Sequence, residues 1–314
     1  MDIPKPFLKW VGGKSQIIDQ IIPLIPQHIR DYHEPFVGGG SVLLTLLALI
    51  KAGKVEVTGH IRVSDINPVL IAVYQNIQSK PAEVIKCLRH IIDSGPRGST
   101  AQAQAPDRAP ATYEAALASP ESYYYWIRSR FNGLVRREKV MPLASAMFIY
   151  LNKTGFRGLY REGPNGLNVP YGHYSNPSIF DADHIYAVSA LIQGVTFVCQ
   201  PFEAALAPVE GGDFVYLDPP YAPETATSFV TYTAGGFDGH EALFNISKCI
   251  IGKGATFVMS NADVPLVQAA FNGIAGVTIK KIVCRRAINS KSPDSVANEV
   301  LVCGGGGGGS PDTN

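Results

Sequence analysis

The chain has 314 residues, of which 46% are hydrophobic, and its formal net charge at pH 7 is +1. This length suits one large domain or a domain with an inserted lobe, and the near-zero net charge excludes a uniformly basic surface. No apolar run approaches the roughly 18 residues of a membrane-spanning helix, and the amino terminus lacks the apolar core of a signal peptide. We therefore expect a protein that acts inside the cell, without a membrane partner.

Hydrophobic periodicity and turn residues predict elements in which strands and helices alternate. In chain order they are helix 15–24, ending before Pro26; strand 31–34; glycine-rich turn 36–41; helix 42–51; strand 61–64; helices 68–77 and 84–91; helices 123–131 and 142–151; strands 195–199 and 214–217; helix 241–251; strand 255–259; and a hairpin of 277–284 and 299–303. This order predicts an α/β fold with a mainly parallel sheet.

Three segments differ in composition from these elements. Residues 94–120 are rich in small and polar residues and predict a flexible surface insertion with one short helix near Tyr113. Residues 154–174 combine glycine turns with aromatic and cationic residues, which suits a hairpin or loop that enters a groove. Residues 304–314 have nothing to pack and predict a disordered tail.

Cysteine and histidine spacing does not indicate a metal or disulfide framework. The five cysteines lack C-x-x-C spacing and mostly lie in apolar runs, so we predict reduced core residues. The seven histidines show no metal-ligand spacing. We expect no metal cofactor.

The most informative motif is Asp218-Pro219-Pro220-Tyr221, which follows the apolar run 214–217. Open α/β sheets bind ligands at the carboxyl ends of their strands. Because proline restricts the backbone, the Asp218 carboxylate and the Pro219 carbonyl become two acceptors at a fixed spacing, matched to the two hydrogens of an exocyclic amine. Tyr221 offers a flat face for a planar base. The motif therefore predicts methylation of a nucleobase amine, although a simple turn capped by Asp218 explains the same four residues.

Two further strand ends support a nucleotide-type cofactor. The glycine-rich turn is neither a Walker A loop nor a clean G-x-G-x-x-G, yet it brings backbone amides and a helix amino terminus to a strand end. Asp65 ends the next predicted strand and is placed to accept hydrogen bonds from a ribose, or else to cap a loop. Together with Asp218, these residues predict a cofactor and a base amine held side by side.

Several motifs, taken in chain order, carry a resemblance to a known family. They are Lys9-Trp10 with Gly12-Gly13-Lys14, the run 34–41, Ser64-Asp65-Ile66-Asn67, the runs 148–159 and 168–172, and Asp218 to Tyr221. The sequence resembles the Dam-type, or D12-class, DNA adenine N6-methyltransferases of the alpha group. The resemblance covers about four-fifths of the chain and excludes 94–120 and the tail.

The resemblance implies a Rossmann-like methyltransferase sheet with helices on both faces, a terminal antiparallel hairpin and an inserted, mainly helical target-recognition lobe. It implies a catalytic domain at 1–67 and 175–303, and the lobe at 68–174. The implied methyl donor is S-adenosylmethionine, with S-adenosylhomocysteine as the product. The implied cofactor-binding residues are Trp10, Lys14, Phe36, Gly38, Gly40, Asp65 and Asp218, and the implied catalytic residues are Asp218, Pro219, Pro220 and Tyr221.

The implied partner is double-stranded DNA, with no obligatory protein partner evident. The target adenine must rotate out of the duplex, because base pairing hides its amine. The residues matching those that read or open GATC are Lys9, Phe156, Arg157, Leu159, Arg161, Pro170 and Tyr174. Phe156-Arg157 stands where relatives often have tyrosine and asparagine. We also expect the terminal hairpin to contact phosphates through Lys280, Lys281, Arg285, Arg286 and Lys291. The expected location is the cytoplasm or nucleoid, or a host cell if the source is viral.

Two other functions remain open on sequence alone. One is an amino-methyltransferase of the same scaffold that acts on cytosine N4 or on adenine in another sequence. The other is a DNA-binding relative without catalysis, against which the combination of Asp65 with Asp218 argues.

Overall fold

A computed structural model describes residues 3–96, 105–223, 237–285 and 296–305. The strands are β1 (His28–Ile29), β2 (Tyr32–Glu34), β3 (Glu56–Val57), β4 (Ile61–Asp65), β5 (Glu162–Gly163), β6 (Gly166–Leu167), β7 (Val195–Cys199), β8 (Phe214–Leu217), β9 (Thr256–Ala262), β10 (Val277–Arg285) and β11 (Val296–Gly304). The α-helices are α1 (Ile18–Ile21), α2 (Ser41–Lys51), α3 (Pro68–Ser79), α4 (Pro81–Asp93), α5 (Tyr113–Ala116), α6 (Pro120–Gly133), α7 (Pro142–Thr154), α8 (Ala182–Leu191), α9 (Phe202–Leu206), α10 (His240–Gly252) and α11 (Pro265–Phe271). Short 3₁₀ segments lie at Lys14–Gln16, Ile22–Leu24 and Phe156–Gly158.

The chain divides into two compact units. The first unit comprises 1–3, 14–66 and 194–314, and the second comprises 4–13 and 67–193. No helix in the described part of the chain is long and apolar enough to cross a membrane.

The first unit is built on a seven-stranded sheet of order β10-β11-β9-β8-β2-β4-β7, as far as the described residues show. Strands β9, β8, β2, β4 and β7 run parallel, and β11 pairs antiparallel with both β9 and β10. The strand order reverses between β8 and β2, where open α/β sheets form their ligand crevice. The expected mixed α/β fold with a mostly parallel sheet is therefore confirmed.

The core of the first unit explains why these segments become strands and helices. All four residues of β8 are buried, and their unbroken apolar run is typical of a parallel strand covered on both faces. Leu243, Phe244 and Ile250 of α10 and Val267 and Phe271 of α11 belong to the same buried cluster as β8 and β9.

The second unit is mainly helical and carries one short hairpin. Asn67 caps the amino end of helix α3, since its side chain accepts hydrogen bonds from the backbone N–H groups of Val69 and Leu70. Pro68 follows as the first helical residue. Helix α7 packs against α3, α4 and α6. Strands β5 and β6 form the hairpin, with Glu162 opposite Leu167.

Two sequence-based boundaries are wrong. The helix expected over 15–24 is instead a single turn of α1 between 3₁₀ segments, because Pro23 has no N–H to continue the α-helical hydrogen bonds. The strand expected to end at 259 continues through Ser260 and Asn261, which are buried. Their polar groups have partners in neighbouring segments, since the Tyr216 and Ser260 hydroxyl oxygens lie 2.8 Å apart and Asn261 Oδ1 accepts the Ala222 N–H.

Other predictions meet the structure in part. Helix α5 lies at the expected short helix, while 97–104 and 306–314 lie outside the described residues. Cys87, Cys199, Cys249 and Cys303 are free thiols. The prediction of core cysteines is wrong for Cys199 and Cys249, which are exposed; Cys199 is the last residue of β7, which lies at the edge of the sheet.

Candidate active site

Asp218 begins the loop after β8 and forms an ion pair with Lys14. The Lys14 Nζ lies 2.7 Å from the Asp218 Oδ1, and the lysine side chain is only 5% exposed. Burial raises the pKa of Asp218 above its ordinary value, the nearby Lys14 ammonium offsets part of that rise, and Glu299 adds a smaller upward contribution. Lys14 therefore favours the ionised form of this carboxylate.

Tyr221 is fixed from two sides. Its hydroxyl donates a hydrogen bond to Glu299 Oε2 on β11 at 2.8 Å, and the Lys14 Nζ lies 5.1 Å from the centre of its ring. The following residue, Ala222, donates its backbone N–H to Asn261 Oδ1 on β9 at 2.9 Å. These bonds tie the loop to two neighbouring strands, so the aromatic face of Tyr221 is held rather than free to rotate.

The glycine-rich turn follows β2 and meets the end of β4. The Gly38 N–H donates to Asp65 Oδ2 at 3.2 Å, and the Val37 N–H donates to the Ser64 carbonyl at 3.1 Å. Gly38 and Gly40 have φ angles of 48° and 73°, which favour glycine. Gly40 precedes α2 without a side-chain cap, so the turn presents backbone N–H groups near the Asp65 carboxylate.

Aromatic and apolar side chains border this turn. The Phe36 ring stacks on Phe202 with centroids 5.6 Å apart and meets Phe237 edge-on at 6.0 Å. Ile66, directly after Asp65, is 59% exposed. An exposed apolar side chain beside a carboxylate suits a ligand that has both a ring and hydroxyl groups.

Glu34, the last residue of β2, is a buried acid at the same edge of the sheet. It is 2% exposed and its Oε2 accepts a hydrogen bond from the Tyr32 hydroxyl at 2.7 Å. Burial raises its pKa to about 8, the Tyr32 hydrogen bond opposes that shift, and the charge of Asp218 adds to it. At neutral pH Glu34 is therefore mostly protonated and adds little negative charge near Asp218.

Lys9 and Tyr174 lie together in the second unit. The Lys9 Nζ lies 4.1 Å from the centre of the Tyr174 ring. Asn152 on α7 holds the Lys9 backbone, accepting its N–H at 2.8 Å and donating to its carbonyl at 2.7 Å. The lysine is thus positioned by both its backbone and its ammonium group.

Hydrogen bonds connect Phe156 to Pro170 and Arg157 to Tyr174 in the second unit. Phe156 donates its N–H to the Pro170 carbonyl at 2.8 Å, and Arg157 donates its N–H to the Tyr174 hydroxyl oxygen at 2.9 Å. Arg157 has a φ angle of 55° and its guanidinium lies 5.2 Å from the centre of the Phe156 ring. Phe156 is 40% exposed, so an aromatic ring and a cation project together from a fixed loop.

Arg161 and Leu159 continue this loop into the hairpin. Arg161 is exposed, and its Nε donates to Asn168 Oδ1 at 2.7 Å. The Leu159 N–H donates to the Phe156 carbonyl at 3.1 Å. Trp10 also belongs to the second unit, where its ring stacks on Tyr160 with centroids 6.0 Å apart.

Comparison with known proteins now decides the family. Residues 10–288 match the family model described as "D12 class N6 adenine-specific DNA methyltransferase". The chain belongs to this family. It is 35% identical to the Type II methyltransferase M.MjaIII of Methanocaldococcus jannaschii, over 91% of this chain and 93% of that protein. It is 29% identical to the retron Ec67 DNA adenine methylase of Escherichia coli, over 95% and 90% of the two chains. It is also 29% identical to the DNA adenine methylase of Haemophilus influenzae, over 95% and 92%.

This D12-class enzyme is thus an adenine-specific DNA methyltransferase. The resemblance stated from the sequence is confirmed, and the cytosine alternative loses its support. The individual roles assigned to site residues remain proposals.

Sequence reasoning missed several residues of this candidate site. Glu299 and Asn261 gave no signal because they bond to the loop after β8 only through the pairing of the sheet. Ile66 could have been found, since it directly follows the strand-end Asp65. Of the cations expected at phosphates, Lys281 pairs with Asp263 at 2.8 Å, and Arg286 and Lys291 lie outside the described residues.

Proposed function

We propose that this enzyme transfers a methyl group from S-adenosylmethionine to the N6 amine of an adenine rotated out of duplex DNA, within GATC or a related short site. The observation that carries the proposal is the Lys14–Asp218 ion pair beside the fixed Tyr221 ring. It combines a charged acceptor for an amine with an aromatic surface for a base.

The first unit offers groups that fit S-adenosylmethionine. The Asp65 carboxylate suits ribose hydroxyls, and the exposed Ile66 suits an adenine ring. The uncapped amino end of α2 offers backbone N–H donors. When bound, this cofactor supplies an electrophilic methyl group on a cationic sulfur. Within the first unit we assign to its site Lys14, Phe36, Gly38, Gly40, Asp65 and Asp218.

The residues of the loop after β8 then prepare the amine. The Asp218 carboxylate and the Pro219 carbonyl each accept a hydrogen bond from the amine, and these two hydrogen bonds raise the electron density on its nitrogen. Tyr221 stacks on the base, and Pro220 restricts the backbone between them. Asp218 must be ionised for this task, and Lys14 favours that form.

The second unit supplies contacts for recognition. Arg161 suits guanine, because a guanidinium can donate two hydrogen bonds to its O6 and N7. Phe156 suits insertion into the base stack when the adenine leaves it. The remaining proposed DNA-binding residues are Lys9, Arg157, Leu159, Pro170 and Tyr174. The relative named Type II methyltransferase M.MjaIII supports a place in a restriction-modification system.

A product assay tests the proposal. The enzyme is incubated with labelled S-adenosylmethionine and duplex DNA, and the DNA is digested to nucleosides. We expect label in N6-methyladenine, and sequencing for the modified base should reveal a short site. Label in cytosine, or no transfer by a folded protein that binds DNA, contradicts the proposal.

The matching variants are Asp218→Ala and Asp218→Asn. Both should abolish transfer, because neither side chain carries the charge that polarises the amine, and both should retain most DNA binding. Asp218→Asn keeps the shape of the side chain and so controls for misfolding of the alanine variant. Transfer by either variant at the parent's rate contradicts the proposed mechanism.

A further inference from the structure

The loop between α6 and α7, residues 134–141, forms a cationic surface in the second unit to which the site described above assigns no role. It carries Arg136, Arg137 and Lys139, and Arg130 lies on the last turn of α6. The three arginines are exposed and the lysine is half-buried. No carboxylate in the described ranges forms an ion pair with these four cations. Such a concentration of positive charge is notable in a chain whose net charge is +1.

The backbone of this loop is anchored at both ends of its turn. The Glu138 carboxylate, the one acidic group in the loop, accepts the Val135 N–H at 3.0 Å. The buried Asn76 of α3 donates to the Val140 carbonyl at 2.9 Å. The cations therefore extend from a positioned backbone, which reduces the conformational entropy lost when they bind a partner.

Aromatic rings position two of the cations. The Arg130 guanidinium lies 5.6 Å from the centre of the Trp126 ring, and the Lys139 Nζ lies 5.7 Å from the centre of the Phe131 ring. These contacts leave the charged groups without a counterion while restricting where they can move. The surface is thus preorganised for an anion.

The last turn of α6, which leads into this loop, contacts the hairpin proposed to read the DNA. Asn132, at the end of α6, donates to the Leu167 carbonyl at 3.0 Å and accepts the Leu167 N–H at 2.9 Å. Leu167 belongs to β6, and the hairpin follows Arg161. A duplex engaged by the hairpin would continue as a row of phosphates on either side of the recognised bases.

We propose that this cationic surface, formed by Arg130, Arg136, Arg137 and Lys139, binds phosphates of duplex DNA outside the recognised site. The proposal rests on the proposed function, since it requires that the hairpin engages duplex DNA. Arginine suits this task because its guanidinium binds phosphate through two parallel hydrogen bonds. The exposed apolar side chains of Val135, Val140 and Met141 would instead suit a protein partner, which the test below separates.

The test compares the parent with the double variant Arg136→Ala/Arg137→Ala. Affinity for a long duplex that contains the target site is measured over a range of salt concentrations. Each phosphate contact contributes about 0.9 to the slope of log affinity against log salt, so the double variant should lose up to about 2 from that slope. Thermal melting confirms that both proteins are folded.

A control variant and a second DNA make the result specific. Lys86→Ala/Arg89→Ala removes the same charge from an exposed face of α4 in the same unit and should keep the parent's slope. On a short duplex trimmed to the recognised site, the parent and Arg136→Ala/Arg137→Ala should have the same slope, because the flanking phosphates are gone.

Three results would be failures, and they can be distinguished from one another. If the parent binds DNA and methylates adenine, but Arg136→Ala/Arg137→Ala keeps the parent's slope on the long duplex, the phosphate surface is wrong and a protein partner gains support. If the parent itself neither binds duplex DNA nor methylates adenine, the proposed function is wrong. An equal loss of slope in the α4 control also overturns the proposal, because the effect would then be one of overall charge.

Discussion

At Asp218, burial and a neighbouring ammonium group change the pKa of one carboxyl in opposite directions. The Lys14–Asp218 pair is almost enclosed, with the lysine side chain 5% and the aspartate side chain 21% exposed. An enclosed pair is sensitive to the loss of either partner, since the remaining charge has little water to solvate it. The chemistry at this site should therefore depend on pH through Asp218 and on Lys14 through the same group.

Substitution of Lys14 tests this dependence. Lys14→Met removes the charge that lowers the pKa of Asp218, so that pKa should rise and more of the carboxyl should be protonated at any acidic pH. The acidic limb of the kcat/KM profile should then move to higher pH. Lys14→Arg keeps a positive charge and should leave the limb close to that of the parent. An identical acidic limb in Lys14→Met would show that Asp218 does not control the rate in this way.

Glu34 provides a second residue-scale prediction, on stability. Its pKa in the folded protein is about 8, above its ordinary 4.5, so the folded state binds the proton more tightly than the unfolded state. Between these values stability should fall as pH rises, by at most about 1.4 kcal/mol per pH unit.

Glu34→Gln removes this titration while it keeps an acceptor for the Tyr32 hydroxyl. Urea denaturation at ~pH 5 and ~pH 7 measures the free energy of unfolding of both proteins. The value for Glu34→Gln relative to the parent should be larger at ~pH 7 than at ~pH 5. A constant difference between the two proteins would mean that Glu34 ionises normally in the folded state.

At the scale of elements, a network of ion pairs joins the amino ends of β2 and β8. Asp213 is fully buried and accepts hydrogen bonds from Arg30 Nε at 2.8 Å and from the Asp31 N–H at 3.1 Å. The His33 Nε2 lies 3.0 Å from the second oxygen of Asp213. Although burial raises the pKa of Asp213, the hydrogen bond from Arg30 and the others together lower it. This network joins the amino-terminal ends of two central strands, whereas the site lies at their carboxyl ends.

Asp213→Asn should destabilise the fold without changing the chemistry. It replaces one charged acceptor by an NH₂ group that faces the Arg30 guanidinium, and we expect a loss of about 2–3 kcal/mol in chemical denaturation. Glu210→Gln is the control, because Glu210 is an exposed partner of the same arginine and should have little effect. Methyl transfer by Asp213→Asn under native conditions should match the parent. A loss of transfer without a loss of stability would contradict this assignment.

At the scale of the whole molecule, the proposed tasks fall in different units. The acceptors for the amine lie in the first unit, and the proposed base-reading residues lie in the second. Variants in the two units should therefore alter different properties of the enzyme, namely the rate of methyl transfer and the sequence at which it occurs.

Arg161→Ala tests this division. It removes the proposed guanine contact and should reduce discrimination against the wrong base by about 1–3 kcal/mol, seen as a smaller ratio of kcat/KM between correct and mismatched sites. The methylated product should remain N6-methyladenine. Asn168→Ala, which removes the side-chain acceptor of Arg161, should produce a weaker effect in the same direction. An unchanged ratio in Arg161→Ala would assign the arginine to a phosphate or to solvent.

The sequence by itself determined the features that depend on local chemistry. Three features follow from the neighbours of each residue. They are the apolar runs that end in Asp65 and Asp218, the glycines after β2 and the helix start at Asn67-Pro68. Those signals were sufficient for the fold class and for the family.

The tertiary structure alone decided which distant groups meet. The pairing of β9 with β8 and β11 brings Asn261 and Glu299 to the loop after β8, and Asn132 joins the last turn of α6 to the hairpin. Lys14 is buried against Asp218, although a lone lysine in sequence suggests a solvated side chain. Periodicity carries no information on such contacts, because they depend on where separate segments pack and on which polar groups must be satisfied there.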